Sequence, residues 1–329
     1  MAKITVLGNG TWGTASAMIL KRNGHDVHVW GFDANEIAEI NKTYCNKRYL
    51  PNHKLPEGIK FVSSLSGLQD SDYFLIVIPT QFIRSAFKNF KDFIPANANL
   101  IVLSKGIEIS SGKGTLDLME ELRPKATIAG FFGPSHAEEV ASGMPATLVS
   151  VSKNLNYARQ VQKVFMSQNI RVYATTDTIG VQLGAALKNV IALAAGIADG
   201  MNLGDNAKSA LLVRGLREIV RLGDAMGAEQ STFAGISGMG DLITTCFSDF
   251  GRNRAVGIRI GKGETLKEII DSMDQVAEGV PTTKATKALA KKYNVEMPIT
   301  EELYDVLFKD KNPLKALQHL MLRDAKDEI

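Results

Sequence analysis

A few short stretches of this sequence carry residue types that can do chemistry together. Gly8-Asn9-Gly10-Thr11-Trp12-Gly13 has the spacing G-x-G-x-x-G. In such a turn Gly8 permits the tight bend and Gly10 lets a pyrophosphate approach the backbone. Gly13 allows close helix packing, with the N-terminal amides of the helix facing the anion. The spacing alone is weak evidence. Here it follows a β-rich run at residues 4–7 and opens a helical pattern over residues 14–22, with a second strand pattern at 27–30, and that context makes it specific. Gly31-Phe32-Asp33 comes after the second strand. Asp33 can accept hydrogen bonds from a ribose 2′-hydroxyl, but no arginine is placed for a 2′-phosphate, and Lys47 and Arg48 read as surface charges.

Lys188 is the second feature. Helical spacing puts Gly184, Ala185, Ile191 and Ala192 on its face. Desolvation among such neighbours lowers an ammonium pKa towards the range where lysine exchanges protons near neutrality, and such a lysine can protonate a developing alkoxide. A lysine snorkelling at a helix surface has the same sequence pattern. Gly235-Ile236-Ser237-Gly238-Met239-Gly240-Asp241 is a glycine-rich loop ending in an acid, and Asp241 reads either as part of a site or as a helix cap. Gly251-Arg252-Asn253-Arg254 sets a planar guanidinium beside an amide, a combination suited to phosphate oxygens. Ser104-Lys105-Gly106 and Gly133-Pro134-Ser135-His136-Ala137 each follow a strand pattern, at the sheet edge where open α/β folds bind ligands.

The elements that must hold these residues fall into two groups. Up to about residue 176, short β-rich runs at 4–7, 27–30, 73–78, 100–103, 127–132 and 147–151 alternate with amphipathic segments, the rhythm of a parallel sheet. Phe74-Leu75-Ile76-Val77-Ile78 shows no polar alternation, as expected when helices cover both faces. Beyond about residue 180 helical patterns take over, at 206–226, 281–293 and 300–308. The expected architecture is α/β: a doubly wound, Rossmann-type N-terminal domain at residues 1–178 and an all-α C-terminal domain at 179–329. A length of 329 residues, about twice a typical domain, agrees.

Composition narrows the function classes. The formal net charge is +3 and the basic residues are dispersed, which argues against a nucleic-acid partner. Cys45 and Cys246 are too few and too far apart for a disulfide framework or a zinc site, and they suit a reducing compartment. His25 and His28 have no further ligand cluster near them and read as polar surface or capping residues, so no metal is expected. The N-terminus lacks the apolar stretch of a signal peptide and reads as a strand. Residues 181–198 approach membrane-span length but contain Gln182, Lys188 and Asn189, and read as a buried helix. The expected location is cytoplasmic, with no integral membrane segment.

Taken together, the residues resemble the bacterial NAD(P)-dependent glycerol-3-phosphate dehydrogenase family across essentially the whole chain. The resemblance is carried by the glycine turn through Thr14-Ala15, by Ser104-Lys105-Gly106-Ile107-Glu108, Gly133-Pro134-Ser135 and Ala186-Leu187-Lys188-Asn189, and by Gly240-Asp241-Leu242 and Arg252-Asn253-Arg254. It implies hydride transfer between NAD or NADP and a small phosphorylated three-carbon substrate, interconverting sn-glycerol 3-phosphate and dihydroxyacetone phosphate and supplying phospholipid synthesis, with a homodimer left open. It makes Lys188 the acid/base, organised by Asn189, Asp241 and Thr245. Substrate would meet Lys105, Gly133, Ser135, Lys188, Asp241, Gly251, Arg252 and Asn253. The cofactor would meet Gly8, Gly10, Thr11, Trp12, Gly13, Phe32, Lys105, Ala137, Arg252, Val276 and Glu278.

Three positions depart from the family pattern. His136 stands where phenylalanine is common, and Gly251 replaces a serine, which leaves a backbone donor. Phe32 occupies a position where a basic or imidazole side chain is often found.

Other readings explain less. A short-chain dehydrogenase or epimerase needs Tyr-x-x-x-Lys, and none of the seven tyrosines has lysine four residues later. Gly112-Lys113-Gly114 and Gly261-Lys262-Gly263 lack the spacing and hydroxyl of a phosphoryl-transfer loop. A non-enzymatic NAD-sensing module accounts for the glycine turn but gives no role to Lys105, Lys188, Asp241 and Arg252 together. Another phosphosugar or hydroxyacid dehydrogenase would share the layout.

Overall fold

The computed structural model describes residues 1–273, 276–325 and 327–328. Eight strands form one sheet: β1 (Lys3–Leu7), β2 (Asp26–Trp30), β3 (Lys60–Val62), β4 (Tyr73–Ile76), β5 (Asn99–Val102), β6 (Thr127–Phe132), β7 (Ala146–Val151) and β8 (Ile170–Thr175). Between them run α1 (Thr11–Arg22), α2 (Ala34–Thr43), α3 (Ile83–Phe90), α4 (Thr115–Leu122), α5 (Ala137–Ala141) and α6 (Leu155–Phe165). The remainder is helical: α7 (Thr178–Gly200), α8 (Gly204–Met226), α9 (Gln230–Phe233), α10 (Asp241–Phe247), α11 (Arg252–Gly261), α12 (Leu266–Asp271), α13 (Gly279–Tyr293), α14 (Pro298–Phe308) and α15 (Pro313–Met321).

The strand order is β3-β2-β1-β4-β5-β6-β7-β8. Winding reverses between β1 and β4, so a crevice opens at their carboxyl ends, where doubly wound sheets take ligands. The expectation of a parallel sheet holds for every neighbouring pair except β6 and β7, which run antiparallel. The five residues of α5 are too short to carry the chain back across the sheet, so β7 returns beside β6. β3, only three residues long, left no legible pattern. His28 corrects another expectation: it lies buried in β2, hydrogen-bonded between β1 and β3 in the sheet, and is not a surface residue.

Two cores sandwich the sheet. One holds Met18, Val29, Val161 and Phe165; the other holds Phe74, Phe87, Leu118 and also Val181 and Ala185 from the start of α7. Further along, α7 forms the helical core with Leu212, Leu222, Leu242 and Leu289. One helix therefore ties the sheet to the helical part. Asp177 caps it through Gly180 N at 2.8 Å, and the other oxygen of the same carboxylate accepts from Thr232 Oγ1 at 2.6 Å. α7 is long and apolar enough to cross a membrane, but 94% of its most apolar window is buried inside the structure.

Against α7 lies α11, at backbone contact. A Cβ on Gly196 or Gly200 would collide with the carbonyls of Arg254 and Ile258, and one on Gly257 or Gly261 with those of Leu193 and Ile197. The sequence shows this as two Gly-x-x-x-Gly pairs, a signal not used above. Their effect is to bring the N-terminus of α11, which carries Arg252 and Asn253, alongside Lys188 and Asn189.

Candidate active site

Four elements meet at the carboxyl edge of the sheet. The loop after β5 brings Lys105, the loop after β6 brings Gly133 to His136, α7 brings Lys188 and Asn189, and the start of α10 brings Asp241. A turn of π-helix at Ile236–Gly240 delivers Asp241 as the first residue of α10, and no side chain caps that helix. The capping alternative for Asp241 is thereby set aside. Its carboxylate is 1% exposed and receives Lys188 Nζ on Oδ1 at 2.5 Å and Lys105 Nζ on Oδ2 at 3.0 Å. Lys105 Nζ also donates to the Gly133 carbonyl at 3.0 Å. Thr245 Oγ1 donates to the Asp241 carbonyl at 2.6 Å and so presents its lone pairs to Lys188 Nζ at 2.8 Å.

Lys188 is buried, which removes the snorkelling alternative. Burial pulls its pKa down to about 8, with Asp241 opposing the shift and the neighbouring Lys105 adding to it. For Asp241, burial alone would raise the pKa, but the two ammoniums outweigh it and hold the carboxyl below its usual value. Asn189 sits one step away. Its Oδ1 accepts from Asn253 Nδ2 at 3.0 Å, and Asn253 Oδ1 accepts from Gly279 N at 2.8 Å, linking α7, α11 and α13.

Of the other anticipated contacts, Ser135 Oγ donates to the Gly133 carbonyl at 3.0 Å. Arg252 is exposed at the first turn of α11, within electrostatic reach of Glu138 and Glu278. Arg254 instead donates Nε to Asp199 at 2.6 Å and NH1 to Asp249 at 2.8 Å. Gly251 offers no spare backbone donor, because its amide is directed at the Ser248 carbonyl at 3.3 Å. That corrects the expectation drawn from its replacing serine.

The glycine turn is built as its spacing implied. Gly8 has φ +120°, and a Cβ there would meet the Val77 carbonyl at 2.6 Å. Gly13 packs on the Gly8 carbonyl, whereas a Cβ on Gly10 would meet nothing within 4 Å. The open side of the turn is thus at Gly10, where a pyrophosphate could come close to the backbone and to the N-terminus of α1. Thr11 and Ala137 are buried, Trp12 is half-buried, and Phe32 and Val276 are exposed. Asp33 caps α2, accepting from Asn35 N and Glu36 N on Oδ1. Glu278 reaches across from the helical part, and its Oε1 accepts from Thr80 N at 2.9 Å. Burial pushes the Glu278 carboxyl up to about 7. Glu278 Oε2 and Thr80 Oγ1 are buried without partners, and both flank Gly106. Orphaned oxygens of this kind fit a site that receives a polar ligand. Thr80 was not singled out in the sequence, since one threonine after Ile-Pro carries no pattern. Among the described residues, no group of three His, Cys, Asp or Glu is placed to hold a metal ion.

Comparison with known proteins gives the same picture. Residues 3–158 match the family model for the NAD-dependent glycerol-3-phosphate dehydrogenase N-terminus, and residues 177–318 match that for the C-terminus. The chain is 48% identical over 332 residues to glycerol-3-phosphate dehydrogenase [NAD(P)+] of Fusobacterium nucleatum, covering 100% of this chain and 99% of that one. It is 50% identical over 333 residues to the enzyme of the same name from Bacillus cytotoxicus, covering 100% and 98%. The crystal structure of glycerol-3-phosphate dehydrogenase from Coxiella burnetii superposes with a TM-score of 0.94 at 34% identity, covering 98% of this chain and 99% of that one. With both halves of the chain matched and the two-lysine cluster lying at the crevice of a doubly wound sheet, this protein belongs to the NAD-dependent glycerol-3-phosphate dehydrogenase family.

Proposed function

We propose that the chain is an NAD(P)-dependent oxidoreductase interconverting dihydroxyacetone phosphate and sn-glycerol 3-phosphate, the latter serving phospholipid synthesis. The observation that carries the reading is Lys188: a buried ammonium pushed down to about 8 and held by Asp241 and Thr245. When bound, the nicotinamide ring supplies or accepts the hydride at substrate C2. Residues of the Gly8 to Gly13 turn, with Phe32, Lys105, Ala137, Arg252, Val276 and Glu278, would hold that cofactor.

The rest of the chemistry belongs to the protein. Lys188 Nζ gives a proton to the C2 oxygen as charge develops there, and takes one back in the reverse direction. Asp241 keeps the ammonium from being expelled by burial, and Thr245 fixes its orientation. Asn189, through Asn253, holds α7 in register with the anion-binding end of α11. Lys105, Arg252 and Asn253, with Gly133 and Ser135, make a cationic and polar lining for a phosphate. In this reading residues 1–178 bind the dinucleotide and residues 179–329 bind substrate and carry the proton. The burial of α7 in the helical core supports a cytoplasmic enzyme, and a second copy of the chain is a candidate partner.

The direct test is loss of NAD(P)H absorbance on adding dihydroxyacetone phosphate to metal-free protein. Rapid turnover is expected. No turnover with either cofactor, or turnover only after a divalent metal is restored, would overturn the reading.

A further inference from the structure

Between the glycine turn and the end of β2, where doubly wound folds hold the adenosine ribose of a dinucleotide, a further group of polar side chains is tied together. The two segments touch: the Gly8 amide donates to the Trp30 carbonyl at 2.9 Å, and a Cβ on Gly31 would meet Asn9 Oδ1 at 2.8 Å. Asn9 is buried in the turn. Its carbonyl accepts from Asn46 Nδ2 at 2.7 Å and from Thr14 Oγ1 at 3.0 Å, which fastens the loop after α2 to the turn. Its side-chain amide donates to Glu36 Oε1 at 2.8 Å. Glu36, half-buried in the first turn of α2, is thus bonded to the residue that stands between Gly8 and Gly10. Its Oε2 lies 3.5 Å from Arg48 NH1, an ion pair longer than a normal hydrogen bond, so this oxygen keeps lone pairs for another donor. The positive groups nearby are already engaged. Asp33 Oδ1 accepts from the amides of Asn35 and Glu36, which open α2 and would otherwise attract a phosphate. Lys47 pairs with Glu39 at 2.8 Å, and Phe32 is exposed and apolar.

NAD and NADP differ at one group, the 2′ position of the adenosine ribose, which carries a hydroxyl in the first and a phosphate in the second. A carboxylate accepts a hydrogen bond from the hydroxyl and repels the phosphate. We propose that Glu36 is a specificity-determining residue that makes NAD the preferred cofactor of this chain, by accepting from the ribose 2′-hydroxyl and by engaging the Arg48 guanidinium that a 2′-phosphate would need. The assignment rests on the NAD(P)-dependent reading above and deepens it. Glu36, not Asp33, is the acid joined to the glycine turn, because Asp33 is turned onto the amides of α2.

The experiment is equilibrium binding in the absence of ketone. NADH and NADPH are titrated into the full-length protein and into Glu36→Gln, Arg48→Ala and the double variant, with the fluorescence of the reduced nicotinamide as the signal. The quantity read is the ratio of the NADPH and NADH Kd values within each protein, so a reduced folded fraction cancels. Unmutated protein should bind NADH more tightly by about tenfold or more, the fold-change carried by one charge-assisted hydrogen bond. Glu36→Gln keeps an oxygen for the Asn9 amide, loses the charge and releases Arg48, so NADPH should bind more tightly, NADH less tightly, and the ratio should fall towards one or below it. The double variant should lose the gain in NADPH affinity, whereas Arg48→Ala alone should keep the preference for NADH. A ratio of one or less in the unmutated protein, a ratio unchanged in Glu36→Gln, or an equal weakening of both dinucleotides in that variant would overturn the assignment. Failure of the unmutated protein to bind either dinucleotide would instead sink the functional reading beneath it.

Discussion

The helix α7 carries two ionic clusters in each of which one carboxylate meets two cations, and they are built for different ends. At Lys188 one carboxylate, Asp241, meets two ammoniums, Lys188 and Lys105. Eleven residues further along the chain, Asp199 meets two cations as well, Lys208 at 2.8 Å and Arg254 at 2.6 Å. The second cluster is balanced, because Arg254 also pairs with Asp249, and Lys208 rests over the Phe247 ring at 4.4 Å. It joins α7, α8 and α11, and its charges are spent on one another. The first cluster has a cation in excess, lies at the sheet crevice, and includes a lysine whose pKa burial has brought near neutrality. A carboxylate between two cations does not separate the two; location, the further acid and burial do.

Substituting Lys188 with methionine tests that contrast most severely. General acid catalysis contributes about 10²- to 10⁴-fold, so Lys188→Met should lower turnover at least that far while NAD(P)H still binds, as measured by fluorescence titration. Turnover within a few-fold of the unmutated protein would remove Lys188 from the chemistry.

Asp241→Asn leaves the buried Lys188 ammonium and the half-buried Lys105 without their counter-charge, a loss of roughly 3–5 kcal/mol in stability by denaturant unfolding. Its sharper signature is in the pH profile. In the unmutated protein, ketone reduction needs the Lys188 ammonium, so the rate should hold below about pH 8 and fall as pH rises through it, whereas alcohol oxidation should rise over the same interval. Asp241 opposes the downward shift of Lys188, so in Asp241→Asn the reduction limb should move to lower pH. A limb that stays in place means another group titrates.

Arg252→Leu should reduce kcat/KM for dihydroxyacetone phosphate by about tenfold to a hundredfold, the worth of one or two charge-assisted hydrogen bonds, and leave dihydroxyacetone much less affected. NAD(P)H affinity is measured in parallel. Equal losses on the two ketones would move the phosphate contact to Lys105, since Arg254 is held by Asp199 and Asp249.

The smallest effect on activity belongs to the balanced cluster. Asp199→Asn should cost about 1–3 kcal/mol of stability and leave the pH profile of reduction where it was. A displaced profile would show that the two clusters on α7 are coupled, and the contrast between them would fail.

Much of this was legible in the residues themselves. The glycine turn, the alternation of strands and helices, and the small-residue helix around Lys188 are local patterns, and the structure places each of them as read. Less local features were not readable. The direction of β7 depends on how far α5 can carry the chain, and β3 gains its place only by pairing with β2. Asp33, open in the sequence to a ribose, is engaged by the first amides of α2, and the Gly251 amide turns back on Ser248.

By itself the sequence determined the fold class, because hydrophobic periodicity and turn glycines act over a few residues, and it determined that a phosphate-cradling turn and a lysine on an apolar helix were present. Only the tertiary structure decided what those groups are. Lys188 becomes a lysine with a lowered pKa, the proton donor of the proposed reaction, because it is buried where Asp241 and Thr245, more than fifty residues away in sequence, arrive at hydrogen-bond distance. Arg254 becomes a brace and Arg252, two residues earlier, is left at the crevice for the same reason: which acids lie within reach is a property of helix packing, set here by four glycines between α7 and α11.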